Sequence, residues 1–207
     1  MMDIPSRFIA DYLGRQLGLD AEARDVLRFG AQNLFLGIVG LAAVSLVAWF
    51  LRCLPETLML TGVVMVTRSF AGGAHLGRPL RCTVFTATIF PALGAAALAI
   101  ANVGTIVPGF CAGATFVSLI TVLMLAPVDN PAKPIRTGTH RRRLRKWAAS
   151  AVVVAAVFQA YLLAGGLPAC SLAAATGMGL LWQSFILTGV GRGVMQFIDR
   201  VLDFQPG

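Results

Sequence analysis

Charge is scarce in this sequence. Only 13% of its 207 residues are Asp, Glu, Lys or Arg, about half the share of a typical soluble domain, which is about 25%. Hydrophobic residues make up 57%, and the run from Thr83 to Ala126 carries no charge at all. A soluble fold of this size would have to bury such runs on every side, which a bilayer does directly. Low-complexity stretches and internal repeats are also missing. The opening Met1-Met2-Asp3-Ile4-Pro5 lacks the basic segment, apolar stretch and cleavage site of a secretory signal, so removal of a leader is not expected and the first apolar run should act as the insertion signal. Histidine occurs twice; His75 and the inner cysteine leave a tetrahedral zinc two ligands short, and the other inner-face candidates, His140 and Asp129, are remote in sequence.

What is present is a basic surplus, 17 Lys and Arg against 9 acidic residues, and its position matters more than its size. The charges fall between the apolar runs, which points to membrane topology and away from a nucleic-acid partner. Residues 1–30 place Phe8, Ile9, Tyr12, Leu13, Leu17 and Leu19 at helical spacing among charges and predict an amphipathic interfacial helix. Residues 31–191 predict a six-span bundle: Leu34 to Phe50, the shorter Thr57 to Thr67, two spans between Cys82 and Ala126 divided around Asn102 to Gly109, then Ala148 to Leu163 and Cys170 to Val190. Residues 192–207 read as a tail. With both termini cytoplasmic, all basic residues except Arg52 lie inside, as the positive-inside rule requires. The expected fold is therefore an all-α integral membrane protein, a single membrane domain of about six transmembrane helices in the cell membrane, in contact with lipid.

The stretch Arg68 to Cys82 (RSFAGGAHLGRPLRC) carries the chemistry. It holds His75 and the one cysteine that this topology puts inside. On a continuous helix, residues seven apart are separated by about 10 Å along the axis, too far for direct proton transfer. The glycine-rich loop, re-entrant or not, must therefore fold back, and Gly72, Gly73 and Gly77 permit this. Pro79 suits a first helical position and puts Cys82 in the opening turn of the third span. Free N–H groups there favour a thiolate, as do Arg78 and Arg81. His75 would serve as general base and then general acid. The plain alternative is a small buried cysteine and a turn-capping histidine. Cys53, Cys111 and Cys170 fall near the outer face and read as packing residues.

At this loop the chain resembles the accessory gene regulator B family, membrane peptidases that process precursors of cyclic quorum-sensing peptides. The likeness lies in Arg68, Gly72-Gly73, His75 and Cys82, and in a second stretch, Ala126 to Ile135 (APVDNPAKPI). It implies a cysteine endopeptidase without a cofactor, with Cys82 as nucleophile, His75 as base, and Arg68 and Gly73 shaping the site. The partner it implies is a small AgrD-like peptide precursor, cut or cyclised through an acyl-thioester, and a homodimer is compatible with it. Gln32 is a further candidate, or an interface amide. Asp129 would orient His75. Arg141, Arg142 and Arg143 would dock acidic residues of the precursor or simply meet anionic lipid. The rival reading is a non-catalytic transporter or scaffold for a peptide or anion, which would be expected to carry an ionisable residue inside a span.

Overall fold

A computed structural model describes residues 12–13, 16–74, 76–128 and 137–202. Every regular element among them is an α-helix: α1 (Ala21–Phe50), α2 (Leu54–Ala71), α3 (Pro79–Val103), α4 (Val107–Leu125), α5 (Gly138–Ala164), α6 (Leu167–Leu187) and α7 (Gly189–Leu202). The boundaries follow local chemistry. Proline stands in the first turn of α2, α3, α4 and α6, where its missing N–H costs nothing. Gly72 and Gly104 end α2 and α3 at positive φ. Five helices, α1, α3, α4, α5 and α6, are long and apolar enough to cross a bilayer, and the chain is a multi-pass membrane protein. The second expected span is a helix of 18 residues, α2. It falls outside that set of five and carries Glu56 and Arg68 near its ends.

The chain divides into two compact units, residues 1–43 and 44–207. In the first, Asp20 accepts a hydrogen bond from the Ala23 N–H at 2.8 Å and starts α1, a side-chain cap of the usual kind. Helix α1 then runs unbroken past residue 30, so the expected limit of the amphipathic segment is not a helix end. Apolar side chains on this stretch, such as Val26, Phe29, Leu34 and Ile38, are exposed, as befits a surface that meets lipid.

The second unit is built around α6, which packs on α2, α3, α4, α5 and α7. Small residues let it do so: Ala173, Ala174 and Ala175 are fully buried, and a Cβ on Gly179 would lie 3.0 Å from the Leu60 carbonyl oxygen. Close approach through small residues is how membrane helices gain contact without a hydrophobic driving force. Polar pairs join the same helices. Thr115 donates to Gln159 at 2.8 Å and Ser184 to Ser118 at 2.8 Å. The cysteines expected to be packing residues are free thiols, and Cys53 and Cys111 are buried.

Two boundaries differ from expectation. The polar loop after α4 ends sooner, because α5 begins at Gly138 and takes in the whole basic run Arg141 to Lys146. The run contains neither Gly nor Pro, and Arg and Lys are good helix formers. The tail also folds, as α7. Its apolar residues recur at helical spacing.

Candidate functional site

The C-terminal ends of α2, α4 and α6, the N-terminal ends of α3 and α5, and α7 meet at one end of the second unit. The chain leaves α2 at Ala71 and crosses Gly72 (φ 71°) and Gly73 (φ 136°). Such φ values strain any residue with a side chain. A Cβ on Gly72 would also lie 2.5 Å from the Val128 carbonyl oxygen, because Val128 N–H donates to the Ala71 carbonyl at 3.0 Å and draws the α4–α5 connection against this turn.

Two side chains, one half-buried and one buried, hold the turn by its carbonyls. Arg68, in the last turn of α2, donates through Nη2 to the Ala74 oxygen. Gln183, on α6 and 2% exposed, donates through Nε2 to the Gly72 oxygen at 2.9 Å. Ala74 N–H in turn donates to the Ile186 oxygen at 3.3 Å. Arg68 Nε and Gln183 Oε1 are buried with no hydrogen-bond partner among the described residues. Unbonded buried polar atoms are costly, about 1–3 kcal/mol each, and are few in folded proteins.

Cys82 sits in the first turn of α3, where its N–H donates to the Arg78 oxygen at 3.1 Å, and Pro79 is the first helical residue, as its sequence position predicts. Cys82 is half-buried among Leu76, Ile186, Met195 and Trp182. Arg68 lies beyond the apolar part of α2. Burial pulls its guanidinium below the ordinary value, and the charge of Cys82 opposes that pull, so the two residues feel each other electrostatically. Arg68, Gly72, Gly73 and Cys82 are thus brought together. His75 and Asp129 lie outside the described residues, and Gln32, half-buried on α1, belongs to the other unit.

Arg81, expected to favour the thiolate, also has a partner on α7. Arg81 Nη1 pairs with the Asp199 carboxylate at 3.3 Å and also donates to the Asp199 carbonyl at 3.2 Å. Its charge is met by a carboxylate on α7. Asp199 Oδ2 also accepts from Gly77 N–H at 3.0 Å. The residues flanking His75 are therefore anchored on both sides, Ala74 by Arg68 and Ile186, Gly77 by Asp199.

Arg141, Arg142 and Arg143 are exposed in the first turns of α5, where cations oppose the helix dipole by about 0.3–1 kcal/mol each. Something else must favour them there. Arg141 Nη2 reaches the Pro127 oxygen at 3.3 Å and Arg145 Nε the Ala126 oxygen at 2.7 Å, which ties the second sequence stretch to α5 and leaves Arg142 and Arg143 facing outward.

Sequence reasoning missed Gln183 and Asp199. Each had a signal. Gln183 is an amide inside the apolar run Leu180 to Leu187, and Asp199 is an acid beside Arg200 in the C-terminal segment.

Relatives bear on the same segments. The sequence profile of AgrB, accessory gene regulator B, matches residues 6–187. A protein of Clostridium perfringens strain 13, named by likeness as AgrB-like protein 2, is 23% identical over 209 residues, covering 96% of this chain and 97% of its own length. An AgrB-like protein of Clostridium perfringens strain SM101 is likewise 23% identical over 209 residues, with the same coverage. No solved structure matches. With a family match that takes in the glycine turn, Cys82 and all six helices from α1 to α6, the chain belongs to the accessory gene regulator B family and with it to the agr quorum-sensing system.

Proposed function

We propose that the protein is a membrane-embedded cysteine endopeptidase that cleaves an AgrD-like peptide precursor at the cytoplasmic face, with Cys82 as nucleophile and His75 as its base. The observation that carries this reading is the placement of Cys82 in the first turn of α3, packed against Leu76 and Ile186, while the Arg68 guanidinium holds the carbonyl of the residue before His75. In this reading the thiol passes its proton to the His75 imidazole, and its sulfur attacks a backbone carbonyl. The imidazolium then returns the proton to the departing amine as the C–N bond breaks, leaving an acyl-thioester on Cys82. Water would hydrolyse the thioester, whereas a thiol or hydroxyl of the precursor would close a ring, and partial burial of Cys82 favours the second outcome. The exposed Arg142 and Arg143 would steer acidic residues of the precursor to this end. The basic residues gathered here support a cytoplasmic orientation.

The test uses the full chain and an AgrD-like precursor. Cys82→Ala and His75→Ala should each abolish cleavage while membrane insertion stays normal, and full cleavage by either variant would overturn the dyad.

One observation favours a second reading, a transporter or scaffold for a small peptide. Glu56, on α2, is buried and accepts a hydrogen bond from Ser171 at 2.7 Å. It lines a cavity of about 700 Å³ with Asn102, Leu98 and Leu172. An acid buried in a membrane bundle is a common mark of transport. Labelling Cys82 with a thiol-reactive peptide analogue separates the two: labelling that needs His75 supports the peptidase, and labelling indifferent to it supports transport.

A further inference from the structure

Helix α7 has two apolar faces, and only one packs against other described residues. Met195 and Ile198 pack with Leu76 and Ile186, in the cluster that also contains Cys82. Gly191 brings the α7 backbone hard against the last turn of α6, since a Cβ there would collide with the Phe185 carbonyl. The second face is a stripe of Val190, Val194, Phe197 and Val201, which are 71, 39, 66 and 56% exposed. The spacing of four, three and four residues aligns them along one side of the helix. The flank away from the protein carries Arg192, Gln196 and Arg200, all exposed.

We propose that α7 lies in the membrane interface on anionic lipid, and that its seating is passed to the Cys82 segment through Asp199. The occupant follows from the surface. The stripe sits where a span has just ended at Leu187, at the depth where acyl chains give way to headgroups. Helices with one apolar side and guanidinium groups on the other bind that boundary. The neighbouring exposed Arg142, Arg143 and Lys146 add positive charge at the same end, which is complementary to lipid phosphate. The link to the reactive segment is direct. Asp199 bonds Gly77 N–H at 3.0 Å and Arg81 at 3.3 Å, thereby gripping the chain on both sides of the turn that leads into α3. The approach is so close that a Cβ on Gly77 would come within 2.7 Å of Asp199 Oδ2. A shift of α7 on the lipid surface must therefore move this segment or break these bonds.

This deepens the peptidase reading, since the seating matters most if Cys82 is the reacting thiol. The experiment compares the full chain in phosphatidylcholine vesicles with and without phosphatidylglycerol. One readout is backbone amide exchange over residues 189–202. The other is the iodoacetamide alkylation rate of Cys82, resolved by mass spectrometry with the other cysteines as internal references. Phosphatidylglycerol should slow exchange on α7 and change the Cys82 rate severalfold. Phe197→Asp, or the milder Val194→Ser, should weaken both effects. Asp199→Asn should keep the protection of α7 but remove the response of Cys82. Identical exchange in the two vesicles overturns the proposal, as does protection that appears only when precursor peptide is added. A full lipid response of Cys82 in Asp199→Asn overturns the coupling. Cleavage that survives Cys82→Ala would instead remove the peptidase reading and leave the protection of α7 intact, so the two failures are distinct.

Discussion

The two ends of the second unit are built by different rules. Around Ala97, Val107, Cys111, Leu162 and Ala173 to Ala175, helices meet mainly side chain against side chain, with Gln159 Nε2 also donating to the Ala173 oxygen at 3.2 Å. A Cβ on Gly94 would collide with Thr57, so α2 and α3 nearly touch there. At the other end, side chains hold backbone: Arg68 on Ala74, Gln183 on Gly72, Arg145 on Ala126, Asp199 on Gly77. Packing of the first kind fixes where helices lie. Bonds of the second kind fix a non-helical segment that could not hold its own shape in a membrane, where every polar backbone group needs a partner. The difference teaches that stability and site geometry depend on separate residues in this chain, and should fail separately.

The sharpest way to break that separation is Gly72→Val. It puts a branched side chain at positive φ and against the Val128 carbonyl, and a displacement near 1 Å at a reactive segment costs about 100-fold in rate. We expect cleavage to fall by that order, measured on protein that still elutes as a folded species. Gly179→Val tests the packing side. With Leu60 and Val63 in the way, it should cost about 1–3 kcal/mol of stability, read from denaturant titration in mixed micelles, with the cleavage rate per folded molecule unchanged.

Gln183→Leu lies between the two kinds. It removes the donor that holds the Gly72 carbonyl in place. The loss should be local and show as roughly tenfold slower cleavage, the rate equivalent of about 1.4 kcal/mol, with little change in the unfolding midpoint. A large midpoint change with normal cleavage would show that Gln183 belongs to the packing set. The smallest effect is expected from Thr115→Val, which deletes the bond to Gln159. Interhelical bonds of this type average about 0.6 kcal/mol, so the titration midpoint should move slightly and cleavage should not change.

Much of this was legible in the sequence. The apolar runs mark out the helices, and Pro79 places Cys82 at a helix start because proline at that position has one favourable use. The glycines of the turn are legible for a related reason, since paired glycine after an apolar helix has few other purposes. The partners of the turn were hidden. Gln183 is separated from Gly72 by 111 positions and Asp199 from Gly77 by 122, and no periodicity connects residues that meet only through tertiary packing. The basic run was placed in a loop because charge was read as solvent exposure. A helix can project beyond the bilayer and carry its charge there, as α5 does.

The central position of α6 also governs assembly of the chain. It is made after α1 to α5, yet it supplies the packing partner for α2, α3, α4 and α5. Until it enters the bilayer, Ser118 lacks its bond from Ser184 and the Gly72 carbonyl lacks Gln183. The earlier helices pack on one another as α2 on α3, α2 on α5 and α4 on α5, and α6 adds the bond that holds the reactive turn. A nascent chain stopped short of that helix would be inserted but unfinished, a natural target for membrane quality control.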